Sequence, residues 1–170
     1  MEPFTAVYTN QEVVIPNQSE ADSLLQDGYG FRRNKLHYLR GVESLFNLER
    51  GKIIVIEEDK NMPLKFHDLL QRLSKNDPEL WIKFIVYKDL RTRGFIIEVT
   101  DIGFKIYERG EYKKKPPSYM LKIISEGKPE NVQKIVKELE SVERECLNMK
   151  LAVVDRRGEI VYYEVEHKEL

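Results

Sequence analysis

The sequence predicts an α+β fold in two domains, residues 1–76 and residues 77–170. The second half reads as a helix, three strands, a helix and a hairpin, which predicts a mixed sheet flanked by two helices. The first half mixes helices with short strands, which predicts a small helical domain with a short antiparallel sheet. The clearest internal boundary follows residue 76, because Asp77 can cap a new helix and Pro78 can occupy its first turn.

The N-terminal domain is predicted to open on two strands, residues 4–8 and 13–15, joined by a polar turn. Ser19 precedes Asp22 by one turn of a helix, as in a capping box, so a short helix is expected to begin there. The two glycines within residues 28–30 are expected to end that helix.

Leucines and valines recur at roughly helical spacing between Asn34 and Arg50, which predicts a second helix with Gly51 as its C-cap. A strand over 53–56 and a third helix near Pro63 complete the domain. The C-terminal domain is predicted to contain a helix over 77–94, strands over 95–99, 104–107 and 119–124, a helix over 129–146, and strands over 150–154 and 160–165.

Composition narrows the classes of function. With 41% hydrophobic and 34% charged residues and a net charge of −1, the chain is expected to be a soluble globular protein without a global basic field, so any RNA site would be a local patch. The single cysteine, Cys146, excludes an internal disulfide and fits a reducing cytoplasm. His37, His67 and His167 lack metal-ligand spacing, so neither a metal nor another cofactor is expected. We expect no membrane span and no signal segment.

Three stretches of the sequence carry motifs whose order and spacing can be compared with those of known proteins. Residues 39–51 form an apolar helix-like run ending in glycine. The most specific stretch is Tyr87-Lys88-Asp89-Leu90-Arg91-Thr92-Arg93-Gly94-Phe95, which matches the pattern Tyr-x-Asp-Leu-Arg-x-Arg-Gly-aromatic and continues through residues 103–110. Its Asp89 and Arg93 also form an i,i+4 pair on one helix, so the motif has an architectural interpretation as well. Residues 151–163 form the third stretch, a terminal hairpin. In this order and spacing, the three resemble the archaeal tRNA-splicing (tRNA intron) endonucleases.

The resemblance implies a two-domain subunit of a tetramer that excises introns from precursor tRNA at bulge–helix–bulge structures. In that family a ribose 2′-hydroxyl attacks its own 3′ phosphate without a metal, leaving 2′,3′-cyclic phosphate and 5′-hydroxyl ends. Such a reaction needs a base, an acid and a cation beside the phosphorus. The resemblance implies that in this family a tyrosine is the base, a histidine is the acid and a lysine is the cation.

The family's catalytic residues carry over only in part. The tyrosine matches Tyr107, but the histidine position falls on Pro116 or Pro117, and proline cannot transfer a proton. The lysine position falls on Leu147 or Asn148, neither of which is charged. The resemblance therefore predicts a non-catalytic structural subunit in a heterotetramer of two such chains with two copies of a catalytic paralogue, acting on precursor tRNA in the cytoplasm.

Two other functions remain open at this point. One is an active ribonuclease with a rearranged site of Tyr107, Tyr119 and Lys150, and the other is a repurposed RNA-binding scaffold. Between two predicted strands lies a basic run that fits either RNA phosphates or a solvated loop. This run consists of Lys113, Lys114 and Lys115.

The C-terminal hairpin is predicted to form contacts between chains. Residues 160–165 carry apolar or aromatic side chains in succession, more than a strand covered on one face needs, and an unpaired edge of this kind favours pairing. The family resemblance further implies that the preceding acidic turn docks in a basic pocket of a neighbouring subunit. The candidate interface residues are Asp155, Glu159, Val161, Tyr163 and Val165.

Overall fold

The computed structural model describes residues 1–166 and 168, which form two compact units divided between Phe84 and Ile85. Each unit contains one mixed β-sheet with helices, so the predicted α+β class is confirmed. His167, one of the three histidines considered above, lies outside the described residues.

The N-terminal unit is built on a six-stranded sheet with the strand order β3-β4-β2-β1-β5-β6. Strands β1 and β5 pair in parallel and every other pair is antiparallel, so the sheet is larger than the short antiparallel one predicted, and it is mixed. Its elements are β1 (Phe4–Thr9), β2 (Glu12–Ile15), α1 (Gln18–Gln26), β3 (Phe31–Arg33), β4 (Leu36–Leu39), α2 (Gly41–Glu49), β5 (Ile53–Glu57), β6 (Met62–Pro63) and α3 (Phe66–Leu73).

The predicted helix from Asn34 to Arg50 is wrong in its first part. Asn34 and Lys35 have φ angles of 51° and 67°, a left-handed pair that turns the chain into the hairpin β3–β4. Helix α2 begins only at Gly41. Helix α1 also starts earlier than predicted, because Asn17 rather than Ser19 is its N-cap, and the Asn17 side chain accepts a hydrogen bond from the Glu20 amide.

The core of the N-terminal unit lies on one face of its sheet. Helices α1 and α2 pack against that face, and α2 packs against α3. Side chains alternate between the two faces of a strand, so every second residue points to the helices. The buried apolar side chains of this face and its helices include Ala6, Val13, Ile15, Leu24, Leu39, Leu45, Ile53, Val55 and Leu69.

The C-terminal unit has a five-stranded sheet with the order β11-β10-β9-β8-β7, in which only β9 and β10 run parallel. This confirms the predicted mixed sheet. Helix α4 ends at Thr92, and Gly94 just beyond it has a φ of +93°, which provides the left-handed C-terminal turn. The elements are α4 (Leu80–Thr92), β7 (Ile96–Val99), β8 (Phe104–Tyr107), β9 (Tyr119–Ser125), α5 (Val132–Arg144), β10 (Asn148–Val154) and β11 (Ile160–Val165).

Helices α4 and α5 cover opposite faces of this sheet, which we call the α4 side and the α5 side. On the α4 side, the Phe104 ring meets the Tyr87 ring edge to face at 5.8 Å, and the Tyr162 hydroxyl donates a 2.5 Å hydrogen bond to the Asp89 carboxylate. The α5 side holds a hydrophobic cluster that ties the helix to strands β9 and β10. Its buried members are Met120, Leu139, Val142, Leu147 and Met149.

Candidate functional site

Tyr107, the residue that the resemblance aligns with the family's catalytic tyrosine, lies at the end of β8 on the α5 side. Its hydroxyl donates a 3.0 Å hydrogen bond to the Glu98 carboxylate on β7. Its ring meets the Tyr112 ring edge to face at 5.2 Å. Burial and the bond to Glu98 together raise the pKa of Tyr107 to about 12. The hydroxyl therefore retains its proton and is a poor general base near neutral pH.

The predicted basic run surrounds Tyr107. Within the described residues, tyrosine, lysine and proline side chains line an open depression of about 400 Å³. Pro116, a candidate for the histidine position, is part of the lining and supplies no group that transfers a proton. The Lys115 ammonium lies 3.3 Å from the Glu111 carboxylate. The full lining is Tyr107, Tyr112, Lys113, Lys114, Lys115 and Pro116.

The two candidates for the lysine position have different environments. Leu147 is only 8% exposed and belongs to the hydrophobic cluster on the α5 side. Asn148, the first residue of β10, is exposed and pairs in register with Tyr119. It lines a second depression of about 280 Å³. The remaining lining residues are Glu108, Ser118, Tyr119, Met149, Lys150, Glu164, Val165 and Glu166.

This second depression is acidic. It contains three carboxylates and one ammonium, that of Lys150. The Lys150 ammonium lies over the Tyr119 ring at 4.2 Å and 3.9 Å from the Glu164 carboxylate. A surplus of negative charge opposes the approach of a phosphate, because like charges repel across a few ångströms.

The structure does not bring Tyr107, Tyr119 and Lys150 together as a rearranged site. Tyr119 pairs with Ile106 across β8 and β9, and Lys150 pairs with Leu121 across β9 and β10, which places Tyr119 and Lys150 on the α4 side. Successive side chains of a strand point to opposite faces, so Tyr107 lies on the other face of the sheet. Only Tyr119 and Lys150 are in contact.

Strand β11 lies at the edge of the sheet and carries the predicted apolar interface residues on its α5 side. Val161 and Tyr163 are 51% and 53% exposed, whereas Val165 packs partly against the hydrophobic cluster. The pairing of β11 with β10 uses one edge of the strand, which leaves its other edge without a strand partner in this sheet. Contact with a second chain through this surface stays a prediction.

The acidic turn is held by its own aspartate. The Asp155 carboxylate accepts hydrogen bonds from the amides of Arg157 at 2.8 Å and Glu159 at 2.9 Å, and these bonds lower the pKa of Asp155. Glu159 is exposed. This local role of Asp155 was missed in the sequence, although an aspartate that opens a glycine-containing turn is a signal for it. Docking of the turn in another subunit stays a prediction.

Comparison with known proteins places the chain in a family. A family model described as the tRNA intron endonuclease, catalytic C-terminal domain, matches residues 80–162. A tRNA-splicing endonuclease of Pyrococcus horikoshii is 32% identical over 142 residues, covering 82% of this chain and 81% of that protein. This chain belongs to the tRNA-splicing endonuclease family. A tRNA-splicing endonuclease of Pyrococcus furiosus is 30% identical over 163 residues, covering 94% of this chain and 90% of that protein.

Some relatives in this family are longer than the chain. A tRNA-splicing endonuclease of Methanococcoides burtonii is 33% identical over 143 residues, covering 84% of this chain but 40% of that protein. Residues 1–166 and 168 include no helix long and apolar enough to cross a membrane. The same residues include no group of three or more histidine, cysteine, aspartate or glutamate side chains that could hold a metal ion.

Proposed function

We propose that this chain is a structural, non-catalytic subunit of a tRNA-splicing endonuclease. It assembles with a catalytic paralogue as a two-plus-two heterotetramer that excises introns from precursor tRNA at bulge–helix–bulge structures, giving 2′,3′-cyclic phosphate and 5′-hydroxyl ends. One observation carries the proposal. In a chain that belongs to this family, the resemblance of the motifs aligns the acid position with Pro116 or Pro117 and the cation position with Leu147 or Asn148.

The environment of each position supports this proposal. Glu98 holds the proton of Tyr107, which opposes a role as general base. Leu147 is committed to the hydrophobic cluster, and Asn148 lines an acidic depression. General acid–base groups contribute about 10²- to 10⁴-fold each to a rate, and electrostatic stabilisers a comparable factor. A chain without two of the three groups has no appreciable rate of its own.

The decisive experiment compares the chain alone with the reconstituted complex. The purified chain should not cleave a bulge–helix–bulge RNA, and addition of the catalytic paralogue should give specific, metal-independent cleavage. Tyr107→Phe in this chain should leave that activity unchanged, because the working tyrosine belongs to the partner. Tyr112→Phe is the matched control, since it removes a hydroxyl from the neighbouring ring. Metal-independent cleavage by the chain alone that is abolished by Tyr107→Phe would falsify the proposal.

The same experiment separates the alternatives. The contact between Tyr119 and Lys150 is the one observation that favours a rearranged ribonuclease. Cleavage by the chain alone that is lost in Lys150→Ala would support that function. Tight binding of precursor tRNA, with no cleavage even after the catalytic paralogue is added, would instead indicate a repurposed scaffold.

Assembly through β11 can be tested by comparing substitutions on the two opposite faces of this strand. Val161→Thr combined with Tyr163→Thr removes exposed apolar surface from the α5 side while keeping residues that favour strands. The assembled mass measured by light scattering should fall. Glu164→Thr, on the α4 side of the same strand, is the control and should leave the mass unchanged. Equal masses for all three proteins would contradict assembly through this surface.

A further inference from the structure

The outer face of the hairpin β3–β4 carries a stack of arginine and aromatic side chains, which we call the arginine–aromatic ladder. The Arg33 guanidinium lies 4.1 Å from the centre of the Tyr38 ring, and the Arg40 guanidinium lies 4.1 Å from the centre of the Phe31 ring. The two rings stack on each other, with centres 5.8 Å apart and planes inclined by 22°. The ladder therefore alternates cation, ring, ring and cation across two neighbouring strands.

The ladder is on the face of the sheet that no helix of its own unit covers. Phe31 pairs with Tyr38 across the hairpin, and Tyr38 pairs with Val14 on β2, so these side chains share one face. His37 and Leu39 alternate with Tyr38 and are buried on the helical side. Arg33 and Arg40 are both exposed. Their guanidinium groups are therefore held in place on the rings and remain accessible to solvent.

This hairpin is a basic patch in a chain with a net charge of −1. Residues 31–40 contain three arginines and one lysine but no aspartate or glutamate. Acidic side chains from outside the hairpin balance part of this charge: Arg32 forms an ion pair with Asp22, and Arg33 forms one with Glu12 at 2.6 Å. The surplus remains positive, which is the local patch that an RNA site requires in a protein without a global basic field.

Backbone geometry fixes the position of the ladder. Gly30 has a φ of +79°, and a Cβ atom at this position would lie 2.4 Å from the Tyr38 carbonyl oxygen and 2.5 Å from the His37 ring. Only glycine allows β3 to start this close to β4. At the other end, the left-handed pair Asn34-Lys35 closes the hairpin. The spacing of the two rings is thus set by the backbone before any ligand binds.

We propose that the arginine–aromatic ladder is a binding surface for a single-stranded segment of RNA. A guanidinium that lies over a ring and is exposed to solvent can donate to a phosphate. At Arg33 the phosphate would compete with the Glu12 carboxylate, which accepts a hydrogen bond from this guanidinium at 2.6 Å. Unpaired bases stack on guanidinium planes as well as on aromatic rings, so the exposed Arg33 and Arg40 groups at the two ends of the ladder offer stacking surfaces. The family acts on tRNA, which favours RNA over an acidic peptide as the occupant.

This inference is independent of the structural-subunit proposal, because the surface lies wholly in the N-terminal unit and its test measures binding rather than cleavage. The probe is a fluorescently labelled oligouridylate of about twelve nucleotides, and fluorescence anisotropy gives its affinity for the full chain over a series of salt concentrations. Arg33→Ala/Arg40→Ala should weaken binding by about tenfold or more. It should also reduce the slope of log affinity against log salt by about 1.4, as expected for two lost phosphate contacts on a single strand.

Two further variants separate stacking from charge. Arg33→Lys/Arg40→Lys keeps the charges but removes the planar groups, so it should preserve the salt slope and still weaken binding by about threefold. This variant also tests the proposal if the alanine pair fails to fold. Lys60→Ala/Lys65→Ala removes the same charge near strand β6, at the opposite edge of the same sheet, and should bind within about twofold of wild type.

Three results would overturn the proposal. One is binding by the Arg33→Ala/Arg40→Ala variant within about twofold of wild type. Another is an equal loss in the Lys60→Ala/Lys65→Ala variant, which would reduce the effect to net charge. The third is binding of a labelled polyglutamate as tight as that of the RNA, with the same dependence on Arg33 and Arg40, which would assign the ladder to an acidic protein partner.

Discussion

Introducing a lysine at the family's lysine position should have opposite consequences at the two candidate residues. Leu147 is 8% exposed and packs in the cluster that joins α5 to β9 and β10, whereas Asn148 is exposed. Leu147→Lys should therefore destabilise the protein strongly, and Asn148→Lys should be tolerated. The comparison tests whether the packing of this hydrophobic cluster excludes a lysine at residue 147.

The magnitude for Leu147→Lys follows from the burial. Burying a leucine side chain contributes about 1.5–3 kcal/mol relative to exposure, and that contribution is lost. The lysine stem recovers part of it only if its ammonium reaches water, and otherwise an unpaired charge is buried. We expect the free energy of unfolding to fall by about 3–5 kcal/mol. Leu147→Met keeps the volume and the apolar character, so it should cost less than about 1.5 kcal/mol.

Urea denaturation followed by circular dichroism measures these differences. Asn148→Lys should lie within about 0.5 kcal/mol of wild type, as is usual for a surface substitution. A Leu147→Lys protein within about 1 kcal/mol of wild type would refute the reasoning, because it would mean that the cluster admits an ammonium without loss.

Three further predictions concern hydrogen bonds. Tyr162→Phe should lower the free energy of unfolding by about 1–2 kcal/mol in urea melts, since it removes the bond to Asp89; no change would contradict that bond. Ultraviolet titration should show a tyrosine ionising at about pH 12, besides Tyr162, whose pKa is raised further by burial and the bond to Asp89. The step at about pH 12 should be absent in Tyr107→Phe and shifted downward in Glu98→Gln. Asp155→Ala should destabilise the protein at neutral pH. Because hydrogen bonds from the Glu159 and Arg157 amides lower the pKa of Asp155 on folding from its ordinary value of 3.8, this carboxylate stabilises the fold above that pH. The difference between wild type and variant should therefore shrink as the pH falls through the lower, folded-state pKa; a constant difference would contradict this cause.

The sequence best predicted the features that depend only on residues close together in the chain. The pair Asp89–Arg93 is present at 2.9 Å, and Gly94 ends its helix with a positive φ, because both depend only on residues within two helical turns. The hairpin β3–β4 was missed, since Leu36 and Leu39 fit a helical period as well as a strand. The left-handed pair Asn34-Lys35 turns the chain and so favours the strand over the helix. Neither residue is a glycine, so the sequence carries no strong signal for a left-handed turn at this point.

The environment of the candidate site depended on strand register and could not be read from the sequence. Glu98 reaches Tyr107 because Ile96 pairs with Tyr107 across β7 and β8, which places Glu98 diagonally opposite on the same face. The register also separates Tyr107 from Tyr119, which the sequence had allowed in one site. A shift of one residue between β7 and β8 would move Glu98 to the other face, and a shift of one residue between β8 and β9 would bring Tyr107 and Tyr119 to the same face. Residue patterns alone do not determine such a shift.

The turn that follows β10 affects the conformational entropy that is lost when the subunits assemble. Its two amide hydrogen bonds to Asp155 fix the loop in one conformation within the isolated chain. Fixing a flexible residue costs about 1–2 kcal/mol of conformational entropy, and here that cost falls on folding rather than on association. A neighbouring subunit that received Glu159 would meet a rigid loop. Loss of the Asp155 carboxylate would then weaken the complex by freeing the loop, in addition to any contact that Asp155 itself makes with the neighbouring chain.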